Sequence, residues 1–136
     1  MSRHLRFLRN TLDAVPDHVV VIADNGAIQY ANDAWVEFGD RNGCTVAAWE
    51  GLNYLDACER AAAEGDETAS QALDAIASVL WDECSAAYID YPCHSPTEYQ
   101  WYRMVVTSFS DDDHRYGVIL HRNITESAMA ERSCAG

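Results

Sequence analysis

The first periodic stretch of the chain is helical. Leu5, Leu8 and Leu12 recur at helical spacing with Arg3, Arg6 and Arg9 between them, which predicts a short amphipathic helix over 3–14. Pro16 ends it, because the residue before a proline avoids helical geometry. The β-branched run "VVVI" at 19–22 then predicts a strand. Asn25-Gly26 predicts a two-residue hairpin turn with positive φ at both positions, and 28–31 the return strand. Asn32 is placed to cap a helix that carries Trp35 and Phe38 and stops by Asn42-Gly43. "GLNYLDACERAAA", from Gly51, predicts a short helix. A longer one follows Gly65, with Thr68 and Gln71 at capping-box spacing and Leu73, Ile76, Ala77 and Leu80 as its apolar face. From Ser85 the period shortens to two. Strands are expected over 86–91, 98–109 and 115–124, joined by the turn-rich "PCHSPT" and "SDDDH".

Strands joined by short turns run antiparallel, and the long connection between the second and third strands holds the helices. The expected architecture is α+β: a five-stranded antiparallel sheet with helices on one face, plus the N-terminal amphipathic helix. In "EYQWYRMVVTSF" the more uniformly apolar set, Tyr102, Met104 and Val106, belongs inside. Trp101, Arg103, Val105 and Thr107 then face out. A tryptophan there calls for a cover. Leu5, Leu8 and Leu12 can supply it, from the same chain or from the partner in a homodimer.

Composition narrows the class. The chain has 136 residues, 49% of them hydrophobic, enough for one domain with a real core. No apolar run approaches the ~18 residues of a membrane span, and the basic N-terminus lacks a signal-peptide pattern; a cytoplasmic protein is expected. The net charge of −13 argues against general nucleic-acid binding, which needs a basic surface. All nine basic residues are arginine. The absence of lysine fits salt adaptation and a GC-rich genome equally. The five cysteines are odd in number, widely spaced and free of CxxC, so reduced thiols are expected rather than a disulfide framework or zinc ribbon.

The stretch "YPCHSPTEYQWYRMVV" places Cys93 beside His94. Two prolines and a serine between expected strands are turn chemistry. Adjacent residues on extended chain point to opposite faces, and a nucleophilic pair needs a third group to orient its base. The pair reads as part of a hairpin connection, with a small enzyme or metal protein using Cys93 and His94 as the rival.

Taken in order, "LDAVPDHVVVIADNGAIQYANDAWVEF", "GLNYLDAC" and "GVILHRNITE" resemble a PAS domain over residues 12–126. The "YPCHSP" hairpin is similar to that of a bacterial subgroup. The resemblance implies a helical segment at 1–16, a PAS-like domain at 17–126 and an outgoing linker or tail at 127–136. It implies sensing of a small molecule, light or redox state, or dimerisation, on behalf of an output domain or a separate signalling partner. A cavity is expected between sheet and helices. Its candidate residues are Tyr30, Trp35, Asn53, Tyr54, Cys58, Ile76, Leu80, Tyr102, Met104 and Leu120.

Cofactor-bearing members of the family give a contrast. Tyr54 stands where the flavin photosensors carry their adduct cysteine, with Cys58 one helical turn later. Ile119 stands where they carry glutamine. The stretch 66–83 lacks the histidine that ligates haem in oxygen sensors, and His121, if it points inward, reads as a hydrogen-bonded core residue. Flavin and haem are therefore disfavoured. Asn123-Ile124-Thr125 replaces the Asp-Ile-Thr that commonly ends the last PAS strand, keeping a hydrogen bond without the charge. The functional expectation is a non-catalytic sensory and dimerisation module, with or without a small ligand in its cavity; the alternative is a flavin or haem sensor.

Overall fold

The computed structural model describes residues 3–41, 48–81, 84–92 and 100–126. Helix α1 (Arg3–Asp13) leads into strands β1 (His18–Ala23) and β2 (Ile28–Ala31). Helices α2 (Asp33–Arg41), α3 (Tyr54–Ala63) and α4 (Glu67–Leu80) follow, then strands β3 (Ala86–Pro92), β4 (Trp101–Asp111) and β5 (His114–Asn123). The five strands form one antiparallel sheet in the order β2-β1-β5-β4-β3. The first and last parts of the chain therefore meet at its centre, where β1 pairs with β5. Cys93 and His94 lie outside the described residues, as do Cys44 and Cys134.

One face of the sheet and α4 make the core. Val20, Ile22, Ile28, Met104, Val106 and Ile119 meet Ala72, Ala75, Ile76, Val79 and Leu80. Alternation along β4 is as expected, with Tyr102, Met104 and Val106 buried. The buried stripe of α4 is rotated from the expected one. Leu73 and Ala77 are only partly buried, while Ala69, Ala72, Ala75 and Val79 are buried together with Ile76 and Leu80. The alanines carry little hydrophobic signal, but their small side chains let the helix backbone approach the strands.

Local chemistry explains the element ends. The Asp66 side chain accepts the Ala69 N–H at 3.2 Å and caps α4. Thr68 is already the second helical residue, so the expected capping box is displaced by an aspartate two residues earlier. Asn53 caps α3 by accepting the Asp56 N–H at 2.9 Å. At the last strand's end, the Asn123 side-chain oxygen accepts both the Thr125 N–H at 3.0 Å and its hydroxyl at 2.6 Å. The neutral amide thus holds the turn.

The two tight hairpins exchange the turn types the residues suggest. Between β1 and β2, Ala23 donates to the Ala27 carbonyl at 2.9 Å across a three-residue loop. In that loop Gly26 has positive φ (91°) and Asn25 does not. The two-residue turn with both residues at positive φ occurs between β4 and β5, where Asp112 and Asp113 have φ of 55° and 65°. Gly26 is also closely approached: a Cβ there would lie 2.5 Å from Asn53 Oδ1 and 2.9 Å from Leu55. The loop docks on α3 through Tyr54 N–H to the Gly26 carbonyl (2.9 Å) and Asn53 Nδ2 to the Asn25 carbonyl (3.0 Å). This contact fixes Tyr54 relative to the sheet.

Helix α1 is held by its C-terminal end. Asn32, fully buried, donates from Nδ2 to the carbonyls of Leu12, Val15 and Asp17 at 3.1, 3.3 and 2.9 Å. Its Oδ1 accepts from Val19 N–H and Trp35 N–H, both at 3.0 Å. The expected cap of α2 is therefore also the joint between α1, β1 and α2. Leu5, Phe7 and Leu8 remain 44%, 67% and 48% exposed. The stripe was expected to be covered by the chain's own sheet or by a partner; in the single chain its leading residues stay partly exposed, while Arg9, Leu12 and Asp13 are bound by Tyr30 and Asn32.

Candidate functional site

Beside the core, where α2 and α3 rise over β1, β3 and β5, the fold forms a half-open cavity of about 250 Å³. Its wall comprises His18 from β1, Trp35, Phe38 and Gly39 from α2, Trp49, Tyr54 from α3, Tyr91 from β3 and His121 from β5. The placement follows from strand parity. His18 shares the inner face with Val20 and Ile22, His121 with Ile119, and Tyr91 with Ile89. His18 and His121 are direct cross-strand partners. Trp35 and Phe38 are three apart on α2 and so share a side of the helix.

Trp35 is the hub of the wall. Its ring lies 5.8 Å from Trp49, edge-on, 5.9 Å from Tyr54 and 5.6 Å from His121. His18 packs against Phe38 at 4.4 Å, and Tyr91 stacks on Tyr102 at 5.9 Å. These separations match those of favourable aromatic pairs.

His121 carries the polar part of the wall. The Tyr91 hydroxyl lies 2.7 Å from its Nδ1 and the Tyr54 hydroxyl 3.3 Å from its Nε2. Burial, reinforced by nearby His18, lowers its pKa to about 4. A neutral imidazole has one donor and one acceptor nitrogen, so one tyrosine donates to the ring and the other accepts from it. Burial also pushes Tyr54 well above the usual phenol range, and pushes the Cys58 thiol up to about 11 against the lowering effect of its hydrogen bond to Tyr54. At neutral pH the network Cys58–Tyr54–His121–Tyr91 is therefore uncharged. It orients hydroxyls and supplies no thiolate, phenolate or imidazolium.

Of the residues expected around the cavity, Trp35 and Tyr54 line it, with Cys58 behind Tyr54. Ile76, Leu80 and Met104 belong to the core under α4. Tyr102 stands behind Tyr91, and Asn53 serves as a cap. Two assignments are corrected. Leu120 pairs with Val19 and Val105 on the opposite face of the sheet, because its neighbours Ile119 and His121 point inward. Tyr30 pairs with Val21, also outward. Its hydroxyl donates to the Arg9 carbonyl at 3.2 Å and binds the Asp13 carboxylate, so Tyr30 latches α1. Burial and that carboxylate raise its pKa. His18, Phe38, Gly39, Trp49 and Tyr91 complete the wall without having been expected there. Parity with Val20 and Ile89 would have found His18 and Tyr91; nothing in the sequence marks Trp49.

Ile119 is fully buried in the core and does not line the cavity, and both nitrogens of His121 are engaged by tyrosines. The cavity is also smaller than the roughly 300–1,000 Å³ typical of drug-sized sites. Among the described residues, no three His, Cys, Asp or Glu side chains gather as metal ligands, and no helix is long and apolar enough to cross a membrane.

No family sequence model and no curated protein matches the chain. Solved structures do. The PAS domain of BvgS from Bordetella pertussis superposes with a TM-score of 0.64 at 18% identity, covering 98% of this chain and 96% of that one. A PAS domain from a two-component sensor histidine kinase gives 0.52 at 16% identity, over 88% and 96%. The phage VqmA–DPO complex gives 0.63 at 19% identity; the match covers 97% of this chain and 58% of that one. The chain has the PAS fold.

Proposed function

We propose that this chain is a sensory PAS module of a signal-transduction system, without catalytic activity of its own, and that its signal is a small molecule held in the Trp35–His121 cavity. The observation that carries this reading is the wall itself: aromatic rings around a polar network that is uncharged at neutral pH. Such a lining combines apolar contact with a few oriented polar groups, as ligand sites do. The same network argues against catalysis. A general base or nucleophile needs a pKa near working pH, and His121 and Cys58 are displaced from it in opposite directions. The similar fold in a sensor histidine kinase and in a complex titled with DPO supports the same reading.

Output would leave through α1. Trp35 touches the cavity, its N–H binds Asn32, and Asn32 holds the last turn of α1. The apolar stripe of α1 would meet a second copy of the chain, and the signalling partner would read that dimer. The test is a thermal-shift screen of a chemically diverse metabolite library against the wild type and Gly39→Leu, which enlarges a residue of the cavity wall. Hits that stabilise the wild type and not the folded variant are expected. Hits indifferent to Gly39→Leu, or none, would overturn the cavity as the sensing site.

A further inference from the structure

Two apolar surfaces of the chain stay open at once. One is the leading part of α1, where Phe7 is 67% and Leu8 48% exposed. The other is the outer face of the sheet, away from α4. There Tyr88, Val105, Leu120 and Val19 form one cross-strand row over β3, β4, β5 and β1. Cover fades along this row. Val19 is buried, Leu120 and Val105 are half-buried, and Tyr88 is 63% exposed. The neighbouring row is ionic, with Asp90 paired to Arg103 at 2.7 Å and Asp17 to Arg122 at 3.1 Å. An apolar strip with a polar border is the anatomy of an interface.

The chain's own α1 leaves the far end of this strip open. Tyr30 and Asn32 hold its last turn at the β2 edge of the sheet. Tyr88 lies on the opposite edge strand, about 19 Å away at the usual strand spacing. A second copy fits in size. A helix of 11 residues is about 16 Å long, and β3, β4 and β5 together span about 10 Å. It also fits in charge. Helix α1 holds three of the nine basic residues and one of the 22 acidic ones, so a basic helix projects from a strongly acidic body. Two such bodies repel each other, and a basic segment of one lying on the other offsets that repulsion.

We infer that α1 of each copy docks on the outer sheet face of the other, across Tyr88, Val105 and Leu120. This rests on the reading that α1 meets a second copy, and it names the surface that receives the helix. The exchange is reciprocal, as two-fold symmetry requires, and it covers both open surfaces with one contact type.

Sedimentation equilibrium of two variants, alone and mixed, tests this, with circular dichroism to show that each is folded. Phe7→Ser with Leu8→Ser removes the helix surface. Tyr88→Thr with Val105→Thr removes the sheet surface and keeps strand-forming side chains. Should that pair unfold, Tyr88→Arg replaces it, setting a positive charge against the basic helix at the most exposed point of the row. Each variant alone should self-associate at least about tenfold more weakly than the wild type. An equimolar mixture should associate at least about threefold more tightly than either variant alone, because the intact helix of one meets the intact face of the other and a contact already lost loses little to a second substitution. Arg3→Glu with Arg6→Glu should weaken the dimer by about tenfold. A sheet variant that dimerises like the wild type, or a mixture no tighter than its components, overturns the docking on the sheet while dimerisation through α1 stands. Unchanged association of the charge-reversed helix overturns the choice of an acidic second copy as the occupant. A monomeric wild type removes the α1 dimer and its seat together, and the cavity reading is untouched by that result.

Discussion

The Tyr91 hydroxyl and Nδ1 of His121 lie 2.7 Å apart, joining the edge strand β3 to the central strand β5 across the inside of the sheet. Tyr102, on the intervening strand, stacks on Tyr91. The bond holds Tyr91 against the cavity and places the half-buried His121 ring between two tyrosine hydroxyls, which sets the first prediction.

His121 is neutral in the folded protein, with a pKa of about 4 against an ordinary 6.5. His18 faces it across the strand pair, Tyr54 from α3 and Tyr91 from β3. Between pH 4 and 6.5 the unfolded chain binds the proton and the folded one does not, so stability rises with pH through that window. The stabilisation is complete above about pH 6.5 and is lost as pH falls toward 4, by at most about 1.4 kcal/mol per pH unit. Urea midpoints at pH 5 and 7 should differ more for the wild type than for His121→Gln. Equal differences would show that His121 titrates normally.

Asn32 spends its whole hydrogen-bonding capacity on backbone. Asn32→Ala removes a helix cap and leaves the groups it bound in a buried joint, so a loss of about 2–4 kcal/mol is expected. Asn32→Asp keeps both accepted bonds but turns a carboxylate oxygen toward three carbonyls. It should be less stable than Asn32→Ala at pH 7 and recover on acidification, as a protonated carboxyl can donate. Chemical denaturation of both variants at pH 5 and 7 checks this; a cost below about 0.5 kcal/mol for Asn32→Ala would mean water replaces the side chain freely.

Gly26 and Gly65 separate two reasons for a glycine. Both have positive φ, 91° and 99°. A Cβ at Gly65 meets open space, whereas at Gly26 it strikes Asn53 and Leu55. Gly65→Ala should therefore cost only backbone strain, about 1–2 kcal/mol. Gly26→Ala should cost more, because the loop must also lift from α3 and take the Tyr54 anchor with it. Equal losses in thermal or urea unfolding would show that the docking contributes nothing.

The contrast between these positions explains what the sequence disclosed. Element order, strand parity and the Asn32 cap follow from local chemistry, and local chemistry is written along the chain. Leu120 and Tyr30 were misplaced because the inward face depends on register, and a shift of one residue exchanges the faces. Asp66 and Thr68 can both cap a helix, and the capping-box spacing of Thr68 and Gln71 points to the later residue while the structure uses the earlier. The stripe of α4 was drawn through Leu73 because hydrophobicity weighs a leucine above an alanine, whereas close approach to a sheet favours Ala72 and Ala75. Trp49 lies outside any periodic segment, so no pattern pointed to it.

The N-terminal helix gives the last prediction. Leu5 and Leu8 are about half exposed and Phe7 two-thirds exposed, while Arg9, Leu12 and Asp13 bind Tyr30 and Asn32. A helix of 11 residues is marginal in water without tertiary contacts. Full burial of a leucine contributes roughly 1.5–3 kcal/mol, so covering this stripe in a second copy would stabilise both the helix and the pair. The contact would be isologous, each chain using the same patch. A chain beginning at Asp13 keeps the Asp13 contact with Tyr30 and removes the stripe together with the Arg9 and Leu12 carbonyl contacts. Light scattering should give the full chain about twice the mass of the shortened one, and Phe7→Ser with Leu8→Ser should reproduce the monomer without shortening it. Equal masses for the full and shortened chains would remove dimerisation through α1 and leave the helix exposed for another partner.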